Sequence, residues 1–124
     1  MYKEKMKVLV IDTVKEPRAK TIDGSLKQMQ EIVGGYIETT KFCDINGKRM
    51  VLVCNEDGKL RGLPLNKYLE GQWIAGTAFV CKDTGDELQG LTDAEIVKIK
   101  LVLRICAFAP KKDRQRNSNF VSGK

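Results

Sequence analysis

The sequence contains no histidine among its 124 residues. This absence excludes histidine-based catalytic triads, histidine metal sites and a neutral-pH imidazole base. Glycine-rich phosphate-binding motifs and the G-x-S-x-G nucleophile elbow are also missing, so dinucleotide-binding, nucleotide-hydrolysing and esterase functions have no local support. We therefore predict a protein that is not an enzyme and that uses no cofactor or metal.

The sequence also lacks any apolar run near the roughly 18 residues that a membrane-spanning helix needs. Its first residues lead only into a short apolar segment, residues 8–11, and no signal-peptide cleavage pattern follows. From these two features we expect a soluble protein of the cytoplasm.

Cysteine pairs with metal-ligand spacing are absent. The four cysteines lie 11, 27 and 25 positions apart, and none forms a C-x-x-C motif. Apolar residues precede Cys54, Cys81 and Cys106 in particular, as is typical of small side chains packed in a core. We predict that these cysteines and Cys43 are buried, reduced thiols, as in a reducing compartment.

Positive charge is concentrated near the end of the chain. The net charge is +6, but five basic groups and one acid lie in residues 111–124. Residues 1–110 then hold 17 basic and 15 acidic side chains, a net charge of +2. We predict one domain over residues 1–110 and a basic, disordered tail over residues 111–124. A solvated tail that aids solubility is favoured over one that contacts phosphates.

The first third of the chain predicts two strands and a helix. Residues 7–12 form a continuous apolar, β-branched run, which is typical of an inner strand buried on both faces. Residues 18–22 resemble a second, shorter strand. Ser25 and Gln28 form a capping box, and apolar residues at helical spacing follow until Gly34-Gly35 ends the helix.

Glycine turns organise the middle of the chain. Asn46-Gly47, between strand-forming segments, is a strong hairpin signal. After a second turn, residues 59–63 predict a short edge strand, because Pro64 lacks the amide hydrogen of a central strand. Residues 66–69 predict a brief helical turn, and residues 73–81 a last strand in which Gly76 marks a bulge or a close backbone approach.

The C-terminal region carries conflicting signals. Thr92 and Glu95 form a second capping box, whereas residues 97–101 alternate as in a strand. We favour a helix over residues 92–109 that ends before Pro110. The predicted fold class is α+β, with one or two helices packed on a mostly antiparallel sheet. The sheet is expected to contain Val8, Ile37, Val51, Leu60 and Phe79.

A candidate ligand site lies in residues 54–66, which join the hairpin to an irregular, proline-interrupted edge. An arginine, asparagines and unpaired backbone amides are the groups that bind an anion or a base edge. Two aromatic side chains nearby are available to cover a base. The predicted site residues are Tyr36, Asn55, Arg61, Gly62, Asn66, Lys67 and Trp73. The alternative is that Asn55 and Asp57 only form the turn and that Asn66 caps a helical turn.

Three blocks of sequence are specific enough to compare with known families: Gly34-Gly35-Tyr36-Ile37-Glu38, Asn55-Glu56-Asp57-Gly58-Lys59 and Gly62-Leu63-Pro64-Leu65-Asn66. With their neighbours they resemble a family of small domains of unknown function found in bacteriophages, plasmids and conjugative elements. The resemblance extends from residue 6 to about residue 96 and departs at the apolar residues 101–109 and the basic tail. It implies an accessory role in mobile elements and names no ligand.

We therefore predict a homodimeric, non-catalytic accessory protein of a phage or mobile element, which sequesters a small anionic ligand of nucleotide type to counter host signalling or defence. Two other classes stay open. One is inhibition of a host protein through an exposed strand edge at residues 59–63. The other is weak nucleic-acid binding by the tail. The tail residues concerned are Lys111, Lys112, Arg114 and Arg116.

Overall fold

The computed structural model describes residues 5–69 and 72–106 and shows an α+β fold. The strands are β1 (Met6–Ile11), β2 (Arg18–Ile22), β3 (Ile37–Ile45), β4 (Lys48–Asn55), β5 (Leu65–Leu69), β6 (Gln72–Ala75), β7 (Ala78–Asp83) and β8 (Leu88–Gln89). The helices are α1 (Leu26–Val33) and α2 (Asp93–Cys106). Neither helix is both long and apolar enough to cross a membrane. The predicted fold class is confirmed.

The main sheet has the strand order β2-β1-β7-β4-β3, and β8 pairs with β7 beside this path. A separate ribbon consists of β5 and β6. Every pairing between the described strands is antiparallel. Strand β1 lies between β2 and β7, so its prediction as an inner strand is confirmed.

The sheet is buried on both faces because each face is covered by one helix. Successive side chains of a strand point to opposite faces. Val8 of β1 therefore packs in the same apolar cluster as Val33 of α1, whereas Leu9 packs in the cluster that contains Ile99 of α2. This arrangement explains why β1, β4 and β7 are continuous apolar runs.

Helix α1 begins and ends as the sequence indicates. The Ser25 hydroxyl accepts a hydrogen bond from the Gln28 backbone N–H at 3.1 Å. The Gln28 side chain accepts from the backbone N–H of Asp23, at 2.6 Å, rather than from that of Ser25. At the other end, Gly34 adopts φ 80° and donates its N–H to the Gln30 carbonyl, which is the left-handed cap that glycine favours.

The β3–β4 hairpin turns at Asn46-Gly47, where φ is 52° and 78°, so this prediction is confirmed. The predicted edge strand at residues 59–63 is wrong. Its backbone forms local turns instead, with the Arg61 N–H donating to the Asp57 carbonyl and the Leu63 N–H to the Gly58 carbonyl. Leu60 is consequently 88% exposed and belongs to no strand.

Two further predictions for the middle of the chain need correction. Residues 66–69 lie in β5, which pairs with β6, and not in a helical turn. The predicted strand over residues 73–81 is divided into β6 and β7 at Gly76, where φ is 85°. The predicted close backbone approach is present, because the Gly76 N–H donates to the Pro64 carbonyl at 2.7 Å. A Cβ atom at Gly76 would also lie 2.8 Å from Leu63 Cδ1.

Helix α2 confirms the helical interpretation of residues 93–106. The Thr92 N–H donates to Glu95 Oε1 at 2.8 Å, and the Glu95 N–H donates to Thr92 Oγ1 at 3.1 Å, which is a reciprocal capping box. The predicted helix end near residue 109 and the basic tail lie outside the described residues.

The described cysteines differ in burial. Cys54 and Cys81 are buried, as predicted, whereas Cys43 is half-buried. Burial raises the pKa of the Cys81 thiol to about 12, with a smaller contribution from the negative charge of Asp83. The side chain of Cys106 lies outside the description.

Candidate functional site

The end of helix α1 meets the end of strand β4, and Asn55 joins them. Its side-chain amide donates to the Val33 carbonyl at 3.0 Å, while its Oδ1 accepts from the Asp57 N–H at 2.8 Å. Asn55 therefore satisfies one of the last carbonyls of α1 and also starts the following turn. Asn55 is only 5% exposed. The sequence offered turn formation as the alternative to ligand binding for this residue, and the structure shows that Asn55 does form the turn.

Arg61 reaches the same helix end from the loop after β4. Its Nη1 donates to the Gly34 carbonyl at 3.0 Å. Gly35 lies directly beneath these contacts: a Cβ atom there would be 2.8 Å from Asn55 Nδ2 and 3.0 Å from Arg61 Nη1. Glycine at position 35 thus allows two polar side chains to close over the helix terminus.

An open cleft of about 590 Å³, which we name the α1 cleft, lies beside this junction. It is lined by Lys27, Gln30, Glu31, Gly34, Gly35, Tyr36, Asn55, Asp57 and Arg61. Two lining side chains are cationic and two are anionic, so the surface has mixed charge. Tyr36 is 71% exposed. Of the predicted ligand-site residues, the structure brings Tyr36, Asn55 and Arg61 together in this cleft.

Asn66 and Gly62 lie away from the α1 cleft. The Asn66 amide donates at 2.8 Å to both the Ile11 and the Gly76 carbonyls, so it ties the end of β1 to the junction of β6 and β7. The structural alternative considered for Asn66, that it caps a helical turn, is therefore wrong as well. Gly62 has φ 74° in its turn, and among the described residues other than its two chain neighbours no atom lies within 4 Å of where its Cβ would be.

Trp73 is half-buried and lines a different cavity, of about 270 Å³, between the end of β4 and β6. Asn55 borders both this cavity and the α1 cleft, whereas Tyr36 lines the α1 cleft and Trp73 lines this cavity. The structure does not describe the side chain of Lys67. The predicted nucleic-acid contacts of the tail also lie outside the described residues: Lys111, Lys112, Arg114 and Arg116.

A buried thiol beside these cavities has a raised pKa. Cys54 lines the cavity that contains Trp73, and burial, with help from the charge of Glu38, raises its pKa to about 11. The thiol is therefore protonated at neutral pH, whereas the thiolate is the reactive form. Within residues 5–69 and 72–106, no group of histidine, cysteine or acidic side chains has the arrangement to hold a metal ion.

Three of the lining residues that the sequence did not predict are on α1. Lys27, Gln30 and Glu31 have the spacing of one helix face, and this spacing was the available signal. The spacing does not say which strand end this helix face contacts, because that is determined by how α1 packs on the sheet. The α1 cleft thus brings together an exposed tyrosine, two cationic residues and two carboxylate residues.

Comparison with known proteins supports one part of the sequence resemblance, namely that the chain belongs to a family of domains of unknown function. No curated protein and no solved structure matches the chain. A family profile described as "Domain of unknown function (DUF3846)" matches residues 6–103, which include β1 and most of α2. The chain therefore belongs to the DUF3846 family of domains of unknown function.

Proposed function

We propose that this protein is a non-catalytic binding protein whose α1 cleft holds a small anionic ligand of nucleotide type. The observation that carries the proposal is the position of Tyr36. Tyr36 is 71% exposed and lines the same cleft as two cations, Lys27 and Arg61. An aromatic face beside positive charge is suited to a ligand that combines a flat base with a phosphate.

The ring supplies the base-binding part of this site. Stacking of a base on an aromatic side chain contributes about 1 to 3 kcal/mol and tolerates any base, since every base has a π-face. Tyr36 follows Gly34-Gly35 directly, and the Tyr36 carbonyl accepts a hydrogen bond from the Glu56 N–H at 2.9 Å. The backbone that carries the ring is thus fixed between α1 and the loop after β4.

Arg61 and Lys27 supply the anion-binding part. Arginine has five N–H donors, and the hydrogen bond of Arg61 to the Gly34 carbonyl uses one of them. Among the residues that the structure describes, neither Arg61 nor Lys27 forms an ion pair. Both cations are therefore available to phosphate oxygens.

The carboxylates of the cleft narrow the ligand class. Glu31 and Asp57 line the same surface and repel a ligand whose exterior is uniformly negative. They accept hydrogen bonds from sugar hydroxyls or from the amino group of a base. A mononucleotide or a cyclic nucleotide presents both kinds of group, whereas inorganic phosphate presents only the anion.

We further propose that binding serves sequestration, in an accessory protein of a phage or mobile element that counters host signalling or defence. Sequestration requires affinity and no chemical step, in keeping with a sequence without histidine or nucleotide-hydrolase motifs. The α1 cleft is open to solvent, so a second surface would be needed to enclose a ligand. This openness supports the expectation of a homodimer.

The test is a thermal-shift screen of the protein against mononucleotides and cyclic nucleotides at about 1 mM. A ligand at ten times its Kd stabilises the folded state by about 1.4 kcal/mol, which raises Tm by several degrees. Each variant is compared with its own ligand-free Tm. We expect Tyr36→Ala and Arg61→Ala to lose the shift.

Leu60→Ala is the matched control, because Leu60 lies in the same loop, is 88% exposed and does not line the α1 cleft. It should keep the shift of the wild type. If no nucleotide raises Tm, or if Tyr36→Ala and Arg61→Ala shift as much as the wild type, the ligand assignment is wrong.

A further inference from the structure

Helix α2 carries apolar side chains on two opposite faces. The inner face is buried against the sheet through Ile96, Ile99 and Leu103. On the other side, Val97, Leu101 and Ile105 are 59%, 55% and 78% exposed. These three residues, which we name the outer ridge, follow one another at four-residue intervals and so form one continuous stripe. A helix that is apolar on both sides is typical of one covered on both sides.

Basic side chains flank the outer ridge. With 100° of rotation per residue, Lys98 lies on one side of the ridge, and Lys100 and Arg104 lie on the other. All three are exposed, and within the described part of the chain none of them forms an ion pair.

The acids of α2 do not neutralise this surface. Asp93 is 2.7 Å from Lys7 Nζ, and Glu95 is 2.9 Å from Lys82 Nζ, so both carboxylates already have cationic partners. Helix α2 has no other acidic residue. The outer face therefore combines an apolar stripe with three cations that lack an acidic partner among the described residues.

A cleft of about 400 Å³ adjoins the Lys100 and Arg104 side of the ridge, between α2 and the loop that joins β1 to β2. Its charged lining is mostly basic, because Glu16 is the one acid beside Lys15, Lys100 and Arg104. Val14 of the same loop is 88% exposed. The surface beside the outer ridge is therefore, like the ridge itself, both apolar and basic.

We infer that the outer ridge binds an acidic amphipathic helix of a partner protein. Such a helix lays apolar residues, spaced by three and four positions, against Val97, Leu101 and Ile105. Its glutamate or aspartate side chains then meet Lys98 on one flank and Arg104 on the other. This surface lies on the face of the sheet opposite α1, and the inference does not depend on the nucleotide proposal.

Charge distinguishes this occupant from two others. A second copy that used the same ridge would bring two sets of three cations together, which is unfavourable. Residues 111–124 of the same chain carry five basic groups against one acid, so they too have the wrong sign. An acidic partner complements both the apolar stripe and its flanks.

The test is fluorescence anisotropy of the full chain with a labelled, designed peptide of about 18 residues that presents leucine on one helical face and glutamate elsewhere. Two comparison peptides are used. One has the same composition in scrambled order, and the other has lysine in place of every glutamate. We expect the glutamate peptide to bind at least about tenfold more tightly than either comparison peptide.

Variants locate the binding surface. Leu101→Gln/Ile105→Gln should weaken binding of the glutamate peptide about tenfold, because it removes the apolar stripe at exposed positions. Lys100→Glu/Arg104→Glu should reverse the preference, so that the lysine peptide binds more tightly. Circular dichroism checks that each variant is folded. Lys48→Glu/Arg49→Glu, at exposed positions on β4, makes the same change in net charge as Lys100→Glu/Arg104→Glu and should leave the peptide preference unchanged.

Three results would overturn the inference. The first is equal binding of the glutamate and scrambled peptides, which is also expected if residues 107–124 already cover the ridge. The second is peptide binding that Leu101→Gln/Ile105→Gln leaves unchanged. The third is sedimentation that shows a dimer abolished by the same double variant, which would make a second copy the occupant.

Discussion

Lys82 and Glu95 form a buried ion pair that joins the central strand β7 to the first turn of helix α2. The Lys82 Nζ atom lies 2.9 Å from Glu95 Oε1 and 3.1 Å from Oε2, and each residue is only 8% exposed. Glu95 also accepts the Thr92 N–H in the capping box. One carboxylate thus starts the helix and fixes it to the sheet.

This pair makes stability depend on pH. Burial raises the pKa of Glu95, but hydrogen bonds from Thr92 and Lys82 outweigh burial, so the folded-state pKa lies below the usual 4.5. A carboxyl group with a lowered pKa stabilises the fold above its unfolded-state pKa, and this contribution is lost as pH falls through the folded-state pKa. Urea unfolding at about pH 7 and about pH 3 should show a lower free energy of unfolding in acid.

Replacing Glu95 with glutamine isolates the charge, since glutamine also serves in a capping box. Glu95→Gln leaves the Lys82 ammonium buried without its partner, and we expect a loss of about 3 kcal/mol at neutral pH. The loss on acidification should also become smaller than in the wild type. The double variant Lys82→Met/Glu95→Leu should recover part of the stability, and an equally unstable double variant would contradict this account.

Gly35→Ala tests whether the missing side chain at position 35 allows Asn55 and Arg61 to contact the end of α1. The added Cβ would meet Asn55 Nδ2 at 2.8 Å and Arg61 Nη1 at 3.0 Å, so one or both side chains must move. We expect a loss of about 1 to 3 kcal/mol in urea unfolding. In an Asn55→Ala background the same substitution should cost less, because the nearer atom is gone, and strictly additive losses would contradict the packing explanation.

The variant Asn66→Ala tests whether Asn66 stabilises the fold or binds the ligand. Its amide holds the Ile11 and Gly76 carbonyls, so Asn66→Ala leaves two acceptors without that donor and should cost about 1 to 3 kcal/mol. Since Asn66 does not line the α1 cleft, the variant should keep any nucleotide-induced rise in Tm, measured from its own lower starting value. Loss of the rise would return Asn66 to the ligand site.

Local signals in the sequence predicted those parts of the fold that local hydrogen bonds determine. Asn46-Gly47 predicted the hairpin, and Ser25 predicted the start of α1, because the turn and the cap are complete within a few residues. Residues 59–63 were mispredicted because loop hydrogen bonds replaced strand pairing. The sequence did not predict that residues 73–81 divide into two strands at Gly76, where an added Cβ would lie 2.8 Å from Leu63 Cδ1.

The candidate site was predicted in part for the same reason. Asn55 and Arg61 were singled out beside a glycine turn, and both reach the end of α1. Lys27 and Glu31 were missed, because their place in the cleft follows from how α1 packs on the sheet. Trp73 was assigned to the same site, but it lies beyond Asn55 in a separate cavity.

The basic tail yields a prediction that separates nucleic-acid binding from the other functions. If the tail contacts phosphates, the full chain should bind a labelled DNA duplex weakly, and binding should weaken steeply between about 50 and 200 mM salt as counterions are released. Each phosphate contact contributes about −0.9 to the slope of log K against log salt, so four contacts give a slope of about −3.6.

Replacing Lys111, Lys112, Arg114 and Arg116 with alanine should abolish binding. Lys98→Ala/Lys100→Ala, which removes two exposed cations from α2, should leave it unchanged, and a salt-tolerant complex that survives the tail substitutions would show that the folded domain holds the DNA.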